Sequence, residues 1–222
     1  YLRMANPQRA LSAVQKAIQA DPGNIALHNL LGLCYMDLGQ FVPAKITWLS
    51  IVARGQSTSE IQNNLGVLYM LQGKEKQALD FFREAAQAEN AVAAWTNLGF
   101  LSLKYRNGFE AKQFFQKANT VEESDVTSRV GYGIALIQNR ELEGAKENLS
   151  EASSQFKSDP FAKLAYSYLL IDTNEELQAK QILSDYIQHQ TGIERDAHFR
   201  QAIQDLKKGG SSSASVSELP SL

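Results

Sequence analysis

Six alanines divide the chain at a nearly constant interval: Ala10, Ala44, Ala78, Ala111, Ala145 and Ala179 stand 34, 34, 33, 34 and 34 residues apart. Self-similarity at such a period means a stack of one supersecondary unit, because no single unit of that size buries its own apolar face. Four residues after each alanine comes a large apolar side chain: Val14, Trp48, Phe82, Phe115, Leu149 and Leu183. One helical turn separates the two, so they share a helix face. Upstream, Leu31-Gly32, Leu65-Gly66 and Leu98-Gly99 recur, followed in register by Gly133 and Ser167. Small residues on both helices let an antiparallel pair close to about 8 to 10 Å. Turn signals fall between the two helices, at LGQF 38–41, QGKE 72–75, YRNGF 105–109 and QNRE 138–141. Between units, DPGN 21–24 stops one helix and places Asn24 to cap the next.

Composition excludes several function classes. With 44% apolar and 21% charged residues, a chain of 222 residues is globular. Lys and Arg total 22 against 24 Asp and Glu, and no basic block stands out, which argues against nucleic acid or an anionic membrane as main partner. No apolar run approaches the roughly 18 residues a membrane helix needs. The single cysteine, Cys34, has no disulfide partner and reads as a small buried hydrophobe. His28, His189 and His198 lack metal-ligand spacing, and no glycine-rich phosphate loop follows a strand. The reading is a non-enzyme without metal or cofactor.

The spaced residues resemble the tetratricopeptide repeat, whose signature is Trp-x2-Leu-Gly-x2-Tyr, then Ala-x3-Phe, then Ala. One repeat reads His28, Leu31, Gly32, Tyr35, Ala44, Trp48, and the next Gln62, Leu65, Gly66, Tyr69, Ala78, Phe82, Ala85. The third reads Trp95, Leu98, Gly99, Ala111, Phe115, Ala118, with Ser102 in place of the tyrosine; two degenerate copies follow around Tyr132 and Tyr166. The resemblance implies an all-α fold, a right-handed α-solenoid of helix-turn-helix repeats. Its array covers residues 1–192, as a partial repeat 1–24 and then 25–58, 59–91, 92–125, 126–159 and 160–192. The segment 193–209 reads as a helix capping the solenoid, and the small, polar stretch 210–222 as a disordered tail.

The family resemblance also implies a concave groove lined from each first helix. One groove position reads Leu33, Val67, Phe100, Ile134 and Tyr168, and the next Met36, Met70, Leu103, Ile137 and Ile171. These apolar columns predict a groove for an extended or helical apolar segment of another protein. The opposing reading is that neighbouring helices bury the stripe as core. Asn29, Asn63, Asn64 and Asn97 lie beside the columns, each with a donor and an acceptor suited to a peptide backbone, or to tying neighbouring helices together. The cationic clamp with which chaperone-binding members of the family hold an acidic C-terminus is missing: of the matching positions Asn29, Leu33, Asn64, Ala93 and Asn97, only Asn64 fits. The layout resembles pilotin-type and tight-adherence pilus lipoproteins. That resemblance implies a scaffold in bacterial pilus or secretion-system assembly, with an N-terminal lipid anchor ahead of Tyr1 and a place in the periplasm or at the inner face of the outer membrane. The alternative is a substrate-recruiting or regulatory module of a larger enzyme, a protease or glycosyltransferase.

Overall fold

A computed structural model describes residues 6–121, 125–157 and 159–189. Among these are eleven α-helices and no strand: α1 (Pro7–Ala20), α2 (Ile25–Asp37), α3 (Phe41–Ala53), α4 (Ser59–Leu71), α5 (Glu75–Ala85), α6 (Val92–Lys104), α7 (Gly108–Val121), α8 (Val126–Gln138), α9 (Leu142–Gln155), α10 (Pro160–Asp172) and α11 (Glu176–His189). The helix expected over 193–209 and the tail 210–222 lie outside the described residues. The helices group into two compact units, one ending at Ala94 and one beginning at Trp95.

Short polar side chains start the first helix of a repeat. Asn24, Thr58, Asp125 and Asp159 each accept from a backbone N–H of the first turn, satisfying donors that no helical carbonyl can reach. These helices all stop in the same way. Gly39 N–H donates to Met36 O and Gln40 N–H to Tyr35 O, a Schellman closure that turns the chain directly into the second helix. The paired bonds recur at Gly73 and Lys74, Arg106 and Asn107, Arg140 and Glu141, and Asn174 and Glu175. The first residue of each pair has a left-handed backbone, with φ between 55° at Arg106 and 71° at Gly39. Glycine adopts that conformation freely, and asparagine tolerates it, but arginine pays for its Cβ. Arg106→Gly and Arg140→Gly are each expected to raise stability by about 0.5 to 1 kcal/mol, read as a higher denaturant midpoint at unchanged slope.

The two helices of a repeat meet ring on glycine. A Cβ added to Gly32 would stand 2.4 Å from the Trp48 indole, closer than non-bonded atoms approach. The large residue one turn after the alanine therefore lies directly against the glycine. Phe115 is enclosed from two sides, since added Cβ atoms at Gly99 and at Gly131 would come within 2.7 and 2.3 Å of its ring. Gly131 lies outside the repeat signature and was not among the residues expected at a helix crossing. In unit 1 the core gathers Met36, Ala44, Trp48, Ile51, Ile61, Leu65 and Leu68. In unit 2 it runs from Ala111 and Phe115 through Leu149 and Leu170 to Leu183 and Tyr186.

Candidate partner-binding face

In unit 1, α2 has two exposed side chains, Ala26 and Leu30, and α4 has two, Glu60 and Leu71. Helical spacing places Leu33 and Asp37 on the face of Ala26 and Leu30, and Asn63 and Val67 on the face of Glu60 and Leu71. All four of these flanking side chains are half-buried, as is Met70. The helices lie side by side: Asn64 Nδ2 donates to Asn29 Oδ1 at 3.0 Å. The result is one face bearing Leu30, Leu33, Val67 and Leu71, with Leu30 37% and Leu71 57% exposed. Polar groups sit at its margins, the Asn63 amide and the Glu60 and Asp37 carboxylates. Such a face offers apolar contact along two helices.

Asn29 and Asn64 have a different task. The buried Asn29 Oδ1 accepts from Trp48 Nε1 at 2.9 Å as well as from Asn64, so one carbonyl oxygen joins α2, α3 and α4. Of the two uses expected for these amides, tying neighbouring helices together is the one these bonds show. Met36 is also a core residue, packed with Trp48 and Leu65.

Unit 2 closes its corresponding stripe. Leu103, Ile134, Tyr168 and Ile171, expected to line an open groove, are buried members of the core. Phe100 and Ile137 are half-buried against that core, and Asn97 is half-buried on α6. Phe161, on the first turn of α10, encloses one end of that stripe. Its ring centroid stands 6.4 Å from that of Phe100, which also meets Phe115 edge-on at 5.0 Å. Ala26 and Glu60 occupy the matching position in unit 1 and have no ring to place there. Leu30, Leu71 and Phe161 were absent from the residues expected at the groove. Leu71 follows Met70 in the family's groove positions, so that signal was available for it.

No group of three His, Cys, Asp or Glu among the described residues can hold a metal ion, and no described helix is long and apolar enough to cross a membrane. His28 is half-buried, with Nε2 2.9 Å from Pro22 O, at the end of the preceding unit. Burial pushes the Cys34 thiol above its ordinary range, the opposite of what a nucleophile needs.

Residues 1–68 match the family model described as Tetratricopeptide repeat. A crystal structure of a tetratricopeptide repeat protein from Parabacteroides merdae superposes with a TM-score of 0.70 at 19% identity, over 91% of this chain and 79% of that one. The described helices take the tetratricopeptide repeat fold. Two further proteins are similar to this chain, PilF and YrrB. The type IV pilus assembly protein PilF of Pseudomonas aeruginosa is 22% identical over 144 residues, 64% of this chain and 57% of that protein, so the match spans little more than half the relative's length. The solved PilF structure superposes with a TM-score of 0.69 at 20% identity, over 88% of this chain and 85% of that one. YrrB, described as a TPR protein with an unusual peptide-binding site, gives 0.63 at 19% identity, over 89% of this chain and all of that one. At these identities the superpositions show a shared fold.

Proposed function

We propose that this tetratricopeptide repeat chain is a non-catalytic scaffold that holds an apolar segment of another protein on the α2/α4 face of unit 1. The observation that carries this reading is the exposure of Leu30 and Leu71 beside the half-buried Leu33 and Val67, on two helices joined by the Asn64–Asn29 bond. Apolar surface gathered on one face marks an interaction site more often than scattered exposed side chains do. Asn63 stands on the same face, where its amide can bond a partner's backbone whatever the partner's side chains. Met70, unbranched and polarizable, adapts to more than one ligand shape.

The similarity to PilF, a type IV pilus assembly protein, supports a place in bacterial pilus assembly. Affinity capture from a bacterium that expresses the chain tests the reading. Wild-type protein is expected to retain a pilus or secretion component, and the Leu30→Gln/Leu71→Gln protein to lose about nine-tenths or more of it, because two apolar contacts of about 1 kcal/mol or more each leave the interface. Both positions are exposed, so the helices and the melting midpoint should hold. Capture undiminished by the double substitution would remove this face from the function.

A further inference from the structure

We propose a second docking surface on this protein, along the turns that join α6 to α7 and α8 to α9, for a protein segment that presents carboxylates beside apolar side chains. The two turns touch. Gln138 Nε2 donates to Leu103 O at 3.0 Å, and a Cβ added to Gly108 would meet Asn139 Oδ1 at 2.5 Å. Their outer surface displays Tyr105 and Phe109, 65% and 69% exposed, with Leu142 beside them and Leu177 at the start of α11. Arginine and aromatic side chains are the types that dominate binding energy at protein interfaces.

Arg106 and Arg140 supply the charge. Both are exposed, and neither side chain has a hydrogen bond or ion pair among the described residues. Each occupies a left-handed turn position, with φ of 55° and 63°, where the turns of unit 1 have Gly39 and Gly73. Two exposed cations at strained turn positions, without a partner among the described residues, are suited to a partner from outside. The carboxylates nearest the same edge are already engaged. Lys112 Nζ donates to Glu141 at 2.6 Å and Lys146 Nζ to Glu175 at 2.6 Å, and these bonds hold both carboxyls below the usual carboxylate range. Glu143 follows Arg140 by three residues, so the edge has mixed charge rather than a positive field. An anionic membrane would meet those carboxylates as well, whereas a peptide can set its own opposite the two guanidinium groups, each able to bind a carboxylate through two parallel bonds.

Fluorescein-labelled short peptides, in which two glutamates at varied spacing flank a Leu-Phe pair, test this by anisotropy. At least one peptide of the set is expected to bind, and its lysine counterpart not to. Arg106→Gly/Arg140→Gly is the informative variant, since it removes both charges while relieving both turns. Its affinity should fall by about tenfold or more, with the helical signal intact. Four results would overturn the proposal. They are no binding by any acidic peptide, binding undiminished in the double variant, binding abolished instead by Leu30→Gln/Leu71→Gln, and cosedimentation with phosphatidylglycerol-phosphatidylcholine vesicles that the double variant loses.

Discussion

Ile134→Asp is expected to cost unit 2 about 4 kcal/mol or more, enough to unfold it in a domain of ordinary stability. Ile134 is 3% exposed and belongs to the core that also contains Val130, Leu164 and Tyr168. A carboxylate there must shed its water and accept protonation instead. Its folded-state pKa would be raised above the unfolded value, so the variant's stability is fullest below the unfolded carboxyl value of about 3.9 and is lost as pH rises through the folded one. Thermal unfolding followed by circular dichroism at several pH values reads both the loss and its partial recovery in acid. A small loss independent of pH would mean that Ile134 faces open solvent, and that the groove extends along unit 2 after all.

Trp48→Ala has a comparable expected effect in unit 1, about 3 to 5 kcal/mol. The indole is fully buried, lies on Gly32, and donates to the oxygen of Asn29 that also receives Asn64. Truncation opens a cavity between the helices of one repeat and removes a bond that fixes the next. Trp48→Phe separates the two contributions. It keeps a ring on the glycine and leaves Asn29 Oδ1 its bond from Asn64, so the lost hydrogen bond itself should account for only about 1 kcal/mol. Denaturant unfolding of both variants gives the comparison. Equal losses would show that the polar junction, not the ring, holds the repeat together.

The fold was largely legible because repeat packing is local. A glycine and an aromatic in fixed register identify a helix pair wherever they occur, and the alanine series states how many times the pair is repeated. The Schellman closures were half legible: Gly39 and Gly73 announce a left-handed turn, while Arg106 and Arg140 adopt the same conformation without its usual residue. The face was harder to read. Columns of apolar residues at helical spacing look alike whether they meet solvent or another helix, and what decides between the two is a residue elsewhere. Phe161, contributed by α10, reaches Phe100 on α6 and packs with it against the core of unit 2. The repeat period locates the position, shared with Ala26 and Glu60, but not the ring that fills it here. The amides posed the same problem, since Asn29 and Asn63 occupy equivalent positions, yet Asn29 is buried under Trp48 and Asn64 while Asn63 is half-buried on the open face.

The central claim, that unit 1 receives its partner on the α2/α4 face, is tested most directly by photo-crosslinking in the cell. A benzophenone side chain at Leu71 samples that face, and one at Ile46 samples α3. The two positions are 57% and 61% exposed, so they are matched in accessibility. The account predicts a discrete crosslinked partner from position 71 and none from position 46. Equal crosslinking from both positions, or a partner captured from position 46 alone, would contradict it.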